Sequence, residues 1–227
     1  MNVHDAGEPA LRKAVIATAR KMNALGINRG KSGNVSARLR NERGDPSATF
    51  LITPTGLPYD QMTPEDIVSI GPGDSAHGAR LPSSEWRFHR DIYRNRPDVG
   101  AIVHTHAPFA TTLACLERGI PAFHYMVAVA GGKDIRCAPY ATFGTQELSD
   151  HAVAALAGRR ACLLANHGMI AVESSLDEAL GLAVEVESLA EMYWRALQVG
   201  APIVLSDGEM DVVLEKFSTY GQPRRAP

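Results

Sequence analysis

From Glu8 to Leu25 the apolar residues Leu11, Val15, Ala19, Met22 and Leu25 recur every three or four positions, the spacing of one helix face, and Gly26 follows where such a helix can end. The period then changes. Val35, Ala37 and Leu39 alternate with polar residues from Asn34 to Leu39, which predicts a strand. Phe50 to Thr53 and Ile67 to Ile70 read as two more strands, and the polar, turn-rich stretch from Arg40 to Ser47 as an exposed hairpin loop. Ser83 or Ser84 is placed to cap a helix that runs to about Arg94 and stops before Pro97.

Next come a strand over Ala101 to His106, a helix over Pro108 to Glu117, a short extended segment around Ala122 and a strand near Ile135 to Ala138. Thr145 is placed to cap a helix to about Ala157, Ala161 to Glu173 is strand-rich, and Ser175 to start a long helix from Leu176 to about Leu197. A last helix spans Asp207 to about Phe217. Hairpin-like strands mixed with helices predict an α/β fold whose largely antiparallel sheet is covered on both faces. No repeat or low-complexity linker divides the chain, and its 227 residues fit one domain over 1–227.

Composition narrows the function classes. A formal net charge of −2 offers no overall attraction to nucleic acid or to a membrane surface, so an anionic ligand would need a local pocket. No apolar run reaches the roughly 18 residues of a membrane span, and the first residues do not read as a signal peptide. Cys115, Cys137 and Cys162 lie in apolar stretches without a C-x-x-C pair, the pattern of free buried thiols in a reducing, cytoplasmic setting.

The chemistry concentrates in a few residues. His104 and His106 end an apolar strand, where side chains two apart share a face from Cα atoms about 7 Å apart, close enough for both rings to reach one ion. His-x-His alone serves a structural or surface role equally well. His167, between the apolar runs 162–165 and 169–172 and followed by Gly168, is suited to supply a third ligand, with Gly168 letting the backbone turn. Three protein ligands leave a position open for substrate. The remaining histidines, His4, His77, His89, His124 and His151, show no comparable pairing. Glu85 is the candidate base, although a glutamate in a first helical turn is ordinary on capping and dipole grounds. Three small-residue turns, 30–34, 53–56 and 83–84, can aim N–H groups at an anion, and none has the spacing of a nucleotide-binding P-loop.

These motifs together resemble the class II aldolase/adducin family. The resemblance runs from the first helix to about Gly221 and rests on LITPTG (51–56), PSSEWRFH (82–89), VHTHA (103–107), IPAFHYM (120–126), CAPYATFGT (137–145), NHG (166–168) and VLEKFSTYG (213–221). It implies a three-layer α-β-α domain assembled as a C4 homotetramer with sites between subunits. It also implies a zinc-dependent aldolase that cleaves a ketose 1-phosphate, such as L-fuculose 1-phosphate, into dihydroxyacetone phosphate and an aldehyde such as L-lactaldehyde. One Zn2+ per subunit falls to His104, His106 and His167, with Glu85 as acid/base able to touch the metal. Gly33, Asn34, Thr55, Gly56, Ser83 and Ser84 map onto the phosphate-binding turns. Tyr125 maps onto an acid supplied by a neighbouring subunit, Tyr220 onto a residue at the aldehyde end, and Phe143 and Phe217 onto apolar lining. Tyr125 and Tyr220 would read as packing residues without the resemblance.

The chain departs from the pattern at Lys31, where a threonine is expected among the phosphate ligands, at Thr105 and Asn166, and in a longer loop near 41–48. The same family implies rival activities: cleavage of 5-deoxyribulose 1-phosphate, or sugar-phosphate epimerisation, dehydration or decarboxylation. A non-catalytic interaction module like the adducin head is the rival from another class.

Overall fold

A computed structural model describes residues 7–40 and 46–219. Its first helix, α1 (Glu8–Ala24), buries Leu11, Val15, Ala19 and Met22 along the predicted stripe. It leads into β1 (Asn34–Arg40), which pairs antiparallel with β2 (Pro46–Ile52). β2 starts four residues before the alternation near Phe50 suggests, and 41–45 of the expected loop lie outside the described residues. β3 (Val68–Ile70) and a two-residue β4 (Ala76–His77) extend this edge.

On the other side of β1 lie β5 (Ala101–Thr105), β8 (Gly168–Glu173), β7 (Ala161–Leu164) and β6 (Arg136–Ala138), giving the order β4-β3-β2-β1-β5-β8-β7-β6. All neighbours are antiparallel except β6 and β7, which run parallel. The sheet is therefore mixed, because β6 returns to β7 through α4 (Gln146–Ala155), and a helical crossover joins strands of one direction.

Apolar runs such as Ala101–Val103 and Ala161–Leu164 do not alternate with polar residues because both faces of these strands are covered. Successive residues join different cores. Ala101, Val103, Leu163, Met169 and Ala171 pack with α1, α3 (Pro108–Ala114) and α5 (Leu176–Val199). Ile102, Cys162, Leu164, Ile170 and Val172 pack with α2 (Trp86–Asn95) and α4. The last helix, α6 (Asp207–Thr219), packs beside the 3-10 segment Tyr125–Ala130.

Thr145 and Ser175 cap α4 and α5 as their sequences predict, accepting from the N–H groups of Leu148 and Glu178. α2 behaves differently. Its cap position is Glu85 itself, without a side-chain cap bond, and Ser83 accepts only from the Glu85 N–H at 3.3 Å. α3 stops at Ala114, three residues short of expectation. Among the cysteines only Cys162 is buried; Cys115 is exposed and Cys137 intermediate, all three as free thiols. Among the described residues no helix is long and apolar enough to cross a membrane.

Candidate metal centre

β5 presents His104 on the α2 side of the sheet, where its ring meets Phe88 edge-on at 5.4 Å. The antiparallel register that places Thr105 opposite Met169 brings the β7–β8 turn alongside the end of β5. His167 sits in that turn. The residue that makes the turn is Asn166, at φ 53°, rather than Gly168. Gly168 meets a different demand: a Cβ there would lie 2.6 Å from the Thr105 carbonyl oxygen and 3.0 Å from the His106 ring. Only a residue without a side chain lets β8 approach the paired histidines this closely. Gly33 does the same from the residue just before β1, where a Cβ would meet the His104 carbonyl oxygen at 2.5 Å.

The three rings converge. Each of His104, His106 and His167 offers a ring nitrogen within 4.8 Å of those of the others, and their centroids lie 4.8–5.1 Å apart. His104 Nδ1–H donates to the Met169 carbonyl at 2.9 Å, which fixes its tautomer and leaves Nε2 as a bare lone pair facing the other rings. Glu85, 4% exposed, reaches in from the start of α2, its Oε2 3.2 Å from His104 Nε2 and its Oε1 3.0 Å from His167 Nε2. These approaches lack hydrogen-bond direction for Oε1 and His104 Nε2. Both remain buried without a hydrogen bond, as does His106 Nε2. Buried polar atoms are nearly always paired, so three orphans aimed at one point mark a site for a ligand that accepts their lone pairs.

The electrostatics agree. Burial acts to raise the Glu85 carboxyl, but the His104 and His167 rings outweigh it and hold the group below the ordinary carboxylate range. Burial, aided by the same two rings, lowers His106 to about 4. An ionised carboxylate beside a neutral imidazole is a donor set for a cation. Three imidazole nitrogens and one carboxylate oxygen suit a divalent ion of the zinc type.

The predicted anion turns are contiguous. Ser83 N–H donates to the Thr53 carbonyl at 3.0 Å and Thr55 N–H to that of Leu81 at 3.1 Å, pairing the second turn with the third. Lys31 Nζ donates to the Gly56 carbonyl at 2.9 Å and ties in the first. Thr55, Gly56 and Ser84 are exposed there and Ser83 is buried. Asn34 adds a side-chain contact that the turn reading did not include. Its side chain is buried and directed at Glu85, to whose Oε2 the Nδ2 donates at 2.8 Å.

A cleft of about 260 Å³ opens over the histidines, lined among others by Ser84, Glu85, Tyr140 and Phe143. Phe143 is 65% exposed and Tyr140 57% exposed. Tyr125 and Phe217 are elsewhere, lining a separate apolar cavity with Met126 and Val213. One chain alone does not bring them to the cleft. Tyr220 lies outside the described residues.

Sequence reasoning passed over three residues here. Tyr140 carried no signal beyond its place between Cys137 and Thr145. Asn28 accepts at its Oδ1 from the Thr105 hydroxyl and the His106 N–H at 3.3 and 3.4 Å, a contact no local pattern announces. His89, which has no paired histidine along the sequence, lies fully buried four residues after Glu85, on the same face of α2.

A model of the Class II Aldolase and Adducin N-terminal domain matches residues 13–194. The chain belongs to the class II aldolase and adducin family. It is 58% identical over 218 residues to the 5-methylthioribulose-1-phosphate/5-deoxyribulose-1-phosphate aldolase of Rhodospirillum rubrum, covering 96% of each chain. To the L-fuculose phosphate aldolase of Escherichia coli K12 it is 51% identical over 212 residues, covering 93% of this chain and 95% of the relative. A solved structure of an L-fuculose 1-phosphate aldolase superposes with a TM-score of 0.86 at 41% identity, over 92% of this chain and 96% of the other. The enzyme is accordingly a carbon–carbon lyase of the class II aldolase type.

Proposed function

We propose that this aldolase uses one zinc ion per subunit to cleave a ketose 1-phosphate reversibly into dihydroxyacetone phosphate and a short aldehyde. The observation that carries this reading is the convergence of three histidines and Glu85 on one point beside linked anion turns. His104, His106 and His167 would hold the metal, with Glu85 able to reach it when no substrate is present. A bound zinc ion there supplies Lewis-acid polarisation of the substrate's carbonyl.

The chain's own residues do the rest. The turns around Gly33, Thr55, Gly56, Ser83 and Ser84 would hold the phosphate through backbone N–H and hydroxyl groups, with Lys31 adding a cation. The non-reacting end is thereby fixed and the bond to be broken is aligned over the histidines. Glu85 would move the proton at the carbon that becomes nucleophilic in dihydroxyacetone phosphate. Tyr125 of a neighbouring copy would exchange a proton with the aldehyde oxygen. That role is supported by its 51% exposure and its place outside this chain's own cleft. We propose the corresponding assembly, a C4 homotetramer of single three-layer domains working in the cytoplasm, with Phe217 and Tyr220 reaching the aldehyde end.

Three substrates compete within this reading. The Escherichia coli relative is named for L-fuculose phosphate, and the Rhodospirillum rubrum relative, at higher identity, for 5-methylthioribulose and 5-deoxyribulose 1-phosphates. All three sugars end in a methyl or methylthio group, which suits the exposed aromatic rings of Tyr140 and Phe143 at the cleft. Incubating zinc-loaded protein with the three ketose 1-phosphates and identifying products tests both levels. Dihydroxyacetone phosphate must appear, and the ratio of kcat/KM values ranks the aldehydes. An epimer, a dehydrated ketone or carbon dioxide in its place would reject the aldolase chemistry.

A further inference from the structure

Behind Glu85 runs a buried polar seam between α2 and β1. Glu85, His89 and Tyr93 follow one another at four-residue spacing on one helix face, opposite Asn34 and Ser36, which share one strand face. All five are at most 4% exposed. Asn34 Nδ2 donates to Glu85 Oε2 at 2.8 Å. Asn34 Oδ1 lies 2.5 Å from His89 Nε2, His89 Nδ1 lies 2.7 Å from Ser36 Oγ, and Ser36 Oγ lies 2.8 Å from the Tyr93 hydroxyl.

Hydrogen-bond polarity in this chain has one solution while Glu85 is ionised. A carboxylate only accepts, so Asn34 must turn its NH2 toward Glu85 and its carbonyl oxygen toward His89. An amide oxygen also only accepts, so His89 carries its proton on Nε2. Burial keeps the ring uncharged, which leaves Nδ1 bare to accept from Ser36. Ser36 has then spent its proton and accepts from Tyr93. Every donor points the same way, from Tyr93 through Ser36, His89 and Asn34 to the carboxylate. Flipping the amide would set two acceptors face to face in a buried site, at the full penalty of unpaired groups.

We infer that His89 is a positioning residue: through Asn34 it holds Oε2 of Glu85 as a fixed acceptor, leaving Oε1 free to face the three histidines and the substrate. This rests on the reading of Glu85 as the proton-transferring group and assigns the machinery that orients it. A merely space-filling core would use apolar side chains between α2 and β1, as the rest of that core does with Phe50, Phe88, Ile92 and Ile102.

The test compares His89→Leu, His89→Gln and Tyr93→Phe with wild type, all as intact zinc-loaded protein. Gln can place an amide N–H where the ring Nε2–H stood, and Leu cannot. The readings are kcat and KM for 5-deoxyribulose 1-phosphate, bound zinc, and the 15N shifts of His89 at pH 7. His89→Leu should lose about tenfold in kcat, the upper end for one buried neutral hydrogen bond and with it the fixed orientation of the Asn34 amide, with KM within about twofold and zinc retained. His89→Gln should recover most of that loss. Tyr93→Phe, which removes only the outermost donor, should lose about threefold, and it carries the comparison if the Leu variant does not fold. The 15N spectrum should show the Nε2–H tautomer in wild type. An Nδ1–H tautomer, an unchanged kcat in both His89→Leu and Tyr93→Phe, or a folded Gln variant no better than Leu would overturn the inference. If wild type cleaves no ketose 1-phosphate, the aldolase reading falls instead, and the relay is judged on the tautomer alone.

Discussion

Acidification from pH 7 to pH 5 should destabilise this protein through His89 by an amount that can be worked out. The ring is fully buried, stacked on Phe88 at 4.6 Å, and burial holds its pKa down to about 3. In the unfolded chain the same ring titrates near 6.5. Between about pH 6.5 and pH 3 the unfolded state therefore binds a proton that the native state refuses. Stability is present in full above 6.5 and falls as pH drops, by about 1.4 kcal/mol per unit. At pH 5 the loss is about 2 kcal/mol. His106, held at about 4, pulls in the same direction, whereas the stabilisation from Asp91, which Arg90, Gln146 and Ser149 hold at about 2 against the effect of burial, is lost only as pH falls below its unfolded value near 3.8.

Comparison with His89→Gln isolates the His89 share, since the amide does not titrate and the His106 effect is common to both proteins. Urea unfolding at one protein concentration, with chelator present, should show the wild-type midpoint falling further than the variant's between pH 7 and pH 5. With a slope of about 2 kcal/mol per molar urea, the excess is about 1 M. Equal falls in the two proteins would refute the reasoning, because they would mean that His89 takes up its proton in the folded state.

His104→Ala should lower bound zinc and activity together; full metal occupancy by elemental analysis would show the ligand assignment to be wrong. Glu85→Gln should keep the fold and slow proton exchange at dihydroxyacetone phosphate about 10²-fold, read by deuterium incorporation, and near-normal exchange would remove Glu85 from the mechanism. Gly168→Ala forces a Cβ to within 2.6 Å of the Thr105 carbonyl and should destabilise the protein by about 1–3 kcal/mol, with weaker zinc binding, measured by thermal melting and metal titration. Tyr125→Phe and Glu85→Gln proteins should each be impaired alone and regain activity when unfolded and refolded together, because a mixed assembly contains some intact sites. No gain on mixing would place Tyr125 outside the shared site.

The sequence by itself determined what depends on neighbours along the chain. Thr145 and Ser175 announced their helices because a cap bond spans three residues, and the stripe from Leu11 to Met22 announced α1 because helix periodicity is local. The pairing of His104 with His106 was legible for the same reason, as strand side chains repeat every two residues. Long motifs pointed to the family, yet they did not say how His89 and Tyr140 are used, nor that the Asn34 side chain bonds Glu85. Those uses came from contacts between segments far apart in sequence. The β5–β8 register brings His167 to the other two rings, and the seating of α2 against β1 brings Glu85 there and joins it to the Asn34 side chain. The parallel β6–β7 pair and the separation of Tyr125 from this chain's cleft likewise follow from tertiary placement. Register and packing are settled by the burial of both sheet faces at once, a condition that no short window of sequence contains.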